Sequence, residues 1–292
     1  MHFRIIMTKT NNNILMTIPT PDFFPFATDA EQLKNTADSI REVMAEYVRR
    51  CNLKSLVLGI SGGIDSALCA VLLRPVCLEC GIPLIGRSIT IETNKKEEID
   101  RSVAVGETFC TDFVHVDLTD IFLENKKMLE RYDDTMLSKL RQGNMKARMR
   151  MMMLYDLAQL NGGIVISTDN YTEFLTGFWT LHGDVGDYAP IMNLWKTEVF
   201  ALATSLLPEC DNKQRAALQS CINATPVDGL GISSCDCEQL GVANYFEADR
   251  LFAAYFNGDK SLESHTLIQR YLRSEYKRNN PMQIPRPRLL GK

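Results

Sequence analysis

Ser55-Leu-Val-Leu-Gly-Ile-Ser-Gly-Gly-Ile-Asp-Ser66 is the stretch whose reading decides the fold, and Ala67-Leu-Cys-Ala-Val-Leu-Leu73 follows it directly. Residues 55–60 are a short apolar run, as expected of a strand buried on both faces of a parallel sheet. Residues 67–80 read as a helix. Between them lies a Ser/Gly loop, so the order is strand, tight loop, helix. In a parallel sheet, ligands bind beyond the carboxyl ends of the strands. A helix starting there offers unpaired N–H groups and the positive end of its dipole to an anion. Gly62 and Gly63 let the backbone come close to phosphate oxygens, and Ser61 and Ser66 add hydroxyl donors. Asp65 is repelled by phosphate unless a divalent cation bridges the two, so it points to Mg2+.

A P-loop would need Gly-Lys-Ser/Thr at its end, and a dinucleotide fingerprint would need GxGxxG; the stretch supplies neither. What remains, SGGxDS, resembles the loop of enzymes that cut ATP between its α and β phosphates. The bland alternative is a Gly/Ser turn that opens a helix with Ser as its cap. The loop leaves the acceptor of AMP open: a carboxylate, an amide-like carbonyl or a tRNA uridine.

Outward from the loop, Leu33, Ala37, Ile40, Val43, Met44, Tyr47 and Val48 recur at helical spacing over 30–51. Further strands are expected at 83–91, 113–116 and 163–167. A helix over 95–109 and helical material across most of 120–160 alternate with them. This order predicts an α/β fold, a doubly wound parallel sheet with helices on both faces. Past about residue 200 the alternation stops, and helices at 197–207, 213–222 and 245–256 form a mostly helical C-terminal part. Residues 1–29 read as an irregular extension and 30–292 as a single domain.

The chain of 292 residues is 45% hydrophobic and 23% charged, enough to bury a core. Its formal net charge of -4 provides no basic field for nucleic acid. No apolar run reaches membrane-span length, and the first residues lack a signal-peptide pattern, which predicts a cytoplasmic protein. The nine cysteines fit reduced thiols in helices better than a disulfide scaffold. Cys77 with Cys80 and Cys235 with Cys237 lack a His to complete a zinc set, so packing thiols are preferred.

A second set of polar residues falls at the other expected strand ends. In Gly143-Asn-Met-Lys-Ala-Arg-Met-Arg150, Lys146 and Arg150 share a helix face with Arg148 to one side: either a solvated basic face or a site for an anionic substrate. Ser167-Thr-Asp-Asn-Tyr-Thr-Glu173 follows the fourth strand, with Thr168 as a candidate cap and Glu173 as a second carboxylate for the cation. Residues 177–190, rich in Gly and Asp, read as a loop that closes over a ligand. His182 is a candidate base whose alternative is a structural role, and Lys196 opens a helix within reach of a phosphate.

SGGIDS, GNMKARMR, STDNYTEFLTGF, HGDVGD, LWKTEV, ATPVDGLGIS and EYKRNNP stand in the order found in NAD+ synthetases, and the chain resembles that family from about residue 30 to its tail. With no room for a glutaminase domain, it is similar to the ammonia-dependent form. The resemblance implies an adenine nucleotide alpha hydrolase-like fold and ATP-dependent amidation of deamido-NAD+ by ammonia through an adenylated carboxylate. It also implies a homodimer. By the same resemblance Gly59, Ile60, Ser61, Gly62, Gly63, Ile64, Asp65 and Ser66 contact ATP, with Arg87, Thr168, Lys196 and Thr225. Asp65 and Glu173 hold Mg2+. Arg148, Asp187, Tyr276 and Lys277 contact deamido-NAD+, and Asp65, Lys196 and Asp187 carry the chemistry. The chain departs from the common pattern at Ile64 (often Gln), Leu181 (often Lys) and Tyr276 (often His), and its loop around Asp184 is one residue shorter. Two rival readings are another SGGxDS pyrophosphatase, GMP-synthetase-like or tRNA-modifying, and a non-catalytic adenine-nucleotide sensor.

Overall fold

The structure is a computed structural model that describes residues 26–27, 29–92, 94–129, 135–225 and 236–290. Four parallel strands, β1 (Leu56–Gly59), β2 (Leu84–Thr90), β3 (Asp112–Asp117) and β4 (Ile164–Ile166), lie in the order β3-β2-β1-β4. The register pairs Leu56 with both Leu84 and Ile164, which puts the ends of the central strands level. Each expected strand is present, a residue or so shorter or longer at its ends.

Between and after the strands run α1 (Ala30–Arg50), α2 (Ile64–Cys80), α3 (Lys96–Phe109), α4 (Thr119–Lys126), α5 (Met136–Leu160), α6 (Tyr171–Thr176), α7 (Lys196–Ser205) and α8 (Asn212–Ile222). Alternation along β1 decides which helices cover which face. Leu56 and Leu58 pack with the apolar sides of α1, α2, α3, α7 and α8. Val57 points the other way, joining Ile85 and Val165 under Met151, Leu154 and Ala158 of α5. Both faces are covered, the doubly wound arrangement. β3 and β4 are the edge strands, and β3 is the more exposed of the two.

The C-terminal part is helical: α9 (Asp236–Leu240), α10 (Tyr245–Phe256), α11 (Thr266–Arg273), α12 (Glu275–Arg278) and α13 (Arg286–Leu289). α9 to α11 bury Leu240, Ala248, Phe252 and Ile268 in a separate cluster against Tyr171 and Leu175 of α6 and Trp195 at the start of α7. Most of the segment expected to be an irregular extension lies outside the described residues. At its end Phe26 is buried, with its ring 5.8 Å from Trp195, and the Ala27 N–H donates to Glu198 at 2.8 Å.

Candidate functional site

The strand order β3-β2-β1-β4 reverses direction at β1, whose neighbours β2 and β4 lie on either side of it, so the switch point falls between β1 and β4, where a crevice is expected beyond the carboxyl ends of the strands. A cleft of about 730 Å³ occupies it. α2 begins at Ile64, three residues earlier than the sequence suggests, which places Asp65 and Ser66 on its first turn. Its cap is Gly63, and no side chain caps it, so the helix end is left for a ligand. Gly62 has φ +82°, and a Cβ there would stand 2.5 Å from the Glu98 carbonyl oxygen. That backbone is closed to any other residue. The Arg101 Nε donates to the Gly62 carbonyl at 3.1 Å. The hydroxyls brace the turn: the Gly63 N–H donates to Ser61 Oγ at 3.1 Å, and the Ser61 N–H to Ser66 Oγ at 3.3 Å.

At the centre Lys196 Nζ donates to Asp65 at 2.5 Å and to Glu173 at 3.1 Å. Each residue comes from the first turn of a different helix, α2, α6 or α7. Asn170 ties the carboxylates together: its Nδ2 donates to Asp65 at 2.9 Å, while its Oδ1 accepts from the Glu173 N–H at 3.1 Å. Asn170, not Thr168, is the cap of α6, and with Glu173 it forms a capping box. Burial pushes the Glu173 carboxyl up to about 7 against the pull of Lys196. Burial alone would depress the Lys196 ammonium, but the two carboxylates outweigh it and hold it above its ordinary value. Asp169 beside them is buried and its carboxyl raised, through burial first and the Glu173 charge second.

Among the described residues no three His, Cys, Asp or Glu side chains gather as a metal site. Asp65 and Glu173 form a pair, with the Lys196 ammonium seated between them as a stand-in for a cation. Two carboxylates facing incoming phosphates are the donor set Mg2+ uses, so these residues fit it.

Most residues the sequence singled out line the same cleft: Gly59 to Asp65, Arg87, Thr168, Glu173, Lys196 and Thr225, together with Arg148, Tyr276 and Lys277. Several are occupied within the protein. Arg87 pairs with Asp112 at 2.9 Å. The Arg148 Nε donates to the Leu181 carbonyl at 3.2 Å. Lys277 Nζ donates to the carbonyls of Gly177, at 2.8 Å, and of Trp179. Ser66 is buried behind the loop. Asp187 is not among the cleft residues; it accepts the Val165 N–H at 2.9 Å beside β4.

The basic turn of α5 does not form one open face. Lys146 is buried, 3.0 Å from Glu92, and Arg150 donates to the Ile89 carbonyl at 3.0 Å. His182 lines a smaller cavity with Arg148 and Tyr155. Cys77 is buried, which pushes its thiol up to about 12; Cys235, of the second pair, lies outside the described residues. Asn170, Asp169 and Arg101 are site residues that the sequence reading passed over. Of these, only Asn170 had a signal, its three-residue spacing to Glu173.

A sequence model of the NAD synthase family matches residues 36–281. The NH3-dependent NAD+ synthetase of Finegoldia magna is 33% identical over 244 residues, 82% of this chain and 92% of the relative. That of Mesoplasma florum is 32% identical, covering 85% of this chain and 95% of the relative. Among solved structures, an NMN synthetase from Francisella tularensis superposes with a TM-score of 0.71 at 25% identity, over 87% of this chain and 98% of that one. An NH3-dependent NAD synthetase from Campylobacter jejuni shares the fold, with a TM-score of 0.65 at 23% identity over 87% of this chain and 99% of that one.

Proposed function

The chain belongs to the NAD synthase family, and from that premise we propose that it is an ammonia-dependent NAD+ synthetase in which the Asp65–Lys196–Glu173 cluster faces the ATP phosphates. The carboxylate of deamido-NAD+ attacks the α phosphorus of ATP and pyrophosphate leaves. Ammonia then attacks the acyl-adenylate carbonyl, forming the amide and releasing AMP. Adenylation is needed because a bare carboxylate has no leaving group that ammonia can displace.

The chain's own residues position the reactants and balance charge. The 61–66 turn and the uncapped start of α2 receive the pyrophosphate oxygens. Asp65 and Glu173 are the residues that would hold Mg2+, which when bound neutralises phosphate charge. Lys196 stabilises the negative charge that builds on the departing oxygens. Arg148, Tyr276 and Lys277 receive deamido-NAD+, while Asp187, outside the cleft, ties the loop that ends at Pro190 to β4 through the Val165 N–H. That loop excludes water from the adenylate.

Exposed apolar side chains along α5, Met152 at 66% and Leu160 at 77% exposure, support a homodimer. Free thiols at Cys51, Cys69, Cys77, Cys80, Cys110, Cys210 and Cys221 support a cytoplasmic setting. Among the described residues no helix is long and apolar enough to cross a membrane.

The observation that carries the proposal is one buried ammonium shared by two carboxylates, at the mouth of an uncapped helix that follows the SGGIDS turn. Incubation with ATP, Mg2+, ammonium and deamido-NAD+ yields NAD+, AMP and pyrophosphate in equal amounts. Nicotinate mononucleotide, offered alongside because an NMN synthetase shares this fold, reports how the acceptor is chosen. ATP binding without pyrophosphate release on either acceptor rejects the proposal.

A further inference from the structure

We infer that Asp249 is a positioning residue: its carboxylate clamps the starts of α6 and α7 together and so sets Glu173 and Lys196 against Asp65. Asp249 stands on α10, outside every motif of the site, and is fully buried. Its Oδ1 accepts the Thr172 hydroxyl at 2.5 Å. Its Oδ2 accepts both the N–H of Thr197, at 2.8 Å, and its hydroxyl, at 2.6 Å. Thr172 Oγ1 in turn accepts the Lys196 N–H at 3.0 Å. Thr172 immediately precedes Glu173, and Thr197 immediately follows Lys196. One carboxylate is therefore bonded next to both side chains that converge on Asp65.

A structural cap for α7 would be supplied by a Ser, Asp or Asn just before the helix. Here that position is Trp195, which makes no side-chain cap. The first N–H groups of α7 are instead met from elsewhere, Lys196 by Thr172 and Thr197 by Asp249. Burying a carboxylate is costly unless several donors meet it, and burial does raise this one, to about 6, against the pull of the two threonines. What the arrangement secures is the distance between two helix starts. Lys196 reaches Asp65 and Glu173 at once only if α6 and α7 keep their spacing, and displacements on the order of 1 Å at reacting groups cost about 100-fold in rate.

The inference rests on the proposed roles of Asp65, Glu173 and Lys196. The test uses the full chain and pyrophosphate release. Asp249→Asn keeps the volume but loses one acceptor. We expect kcat to fall about 10- to 100-fold at a temperature where the variant is folded by circular dichroism, with KM for deamido-NAD+ held within about twofold. The Mg2+ concentration for half-maximal rate rises in the same variant. Thr197→Val, nearly isosteric, falls with it, and Thr197→Ser, which keeps the hydroxyl, returns to within about twofold of wild type. A folded Asp249→Asn or Thr197→Val with wild-type kcat and Mg2+ dependence overturns the inference. If Asp249→Asn does not fold, the Thr197 pair decides alone. Wild-type protein that releases no pyrophosphate rejects the functional proposal instead, before any variant is compared.

Discussion

Replacing Lys196 with Met removes the ammonium that touches both Asp65 and Glu173 and leaves the two carboxylates facing each other. The three side chains are only 3%, 16% and 15% exposed, so water screens them little. Removing one partner from a buried pair costs about 3–5 kcal/mol, because a charge is left uncompensated. For a chain of this size that lowers the unfolding temperature by on the order of 10 °C.

The sign of the pH effect follows from the two groups. In the wild type Glu173 stands at about 7 against an ordinary 4.5. The native state therefore holds this proton more tightly than the unfolded chain, and the group's contribution declines as pH rises through that window and is flat above it. Lys196 is raised above its ordinary 10.5, so its contribution is complete below that value and fades only at higher pH. Without Lys196 the Glu173 proton is held more tightly still, and the window extends upward. The deficit of Lys196→Met, measured by urea unfolding, is accordingly largest near pH 8 and shrinks towards about pH 5.5. Millimolar Mg2+ reduces it at the higher pH by binding where the ammonium sat. A deficit below about 1 kcal/mol, or one indifferent to both pH and Mg2+, refutes the reading of this cluster as a buried cation site.

Two further substitutions test the loop. Gly62→Ala forces a Cβ against the Glu98 carbonyl at a positive φ; it is expected to cost about 1–3 kcal/mol and to weaken binding of a non-hydrolysable ATP analogue by calorimetry. Asp65→Asn keeps the Asn170 contact region filled and should fold, while pyrophosphate release falls about 100-fold or more; normal turnover removes Asp65 from the phosphate site.

The part of the fold that positions the site was legible because β1, the loop and α2 differ so sharply in composition. The run Leu56-Val-Leu58 has to be buried, and two glycines have to end it. The start of α2 was misplaced by three residues for a physical reason. Ile64, Asp65 and Ser66 carry no strong helix preference, and the helix starts there at a glycine cap with no side-chain partner. The basic turn of α5 shows the limit of pattern reading. Spacing puts Lys146 and Arg150 on one face, but it cannot show Glu92, held at φ +58° in another segment, waiting for Lys146. Asp249 left no trace in the sequence. It sits in an ordinary helix, and its partners Thr172 and Thr197 are 77 and 52 residues away.

The switch point explains why the charges are arranged as they are. Three helix starts, α2, α6 and α7, converge on one crevice, and their dipoles favour an anion there. Yet the first turns of α2 and α6 carry Asp65 and Glu173, and only α7 brings a cation. With both carboxylates ionised, above the Glu173 value of about 7, the cluster has one negative charge in excess at the switch point. Free triphosphate entering it must either draw Lys196 away from its two carboxylates or meet them unscreened. Asp65 and Glu173 are the residues that would hold a divalent cation brought by the nucleotide, whose charge would offset theirs and leave Lys196 free to face the phosphate. Lys196 turned inward between Asp65 and Glu173 offsets part of that excess, and under the proposed function the remainder would favour a nucleotide that brings its own divalent cation.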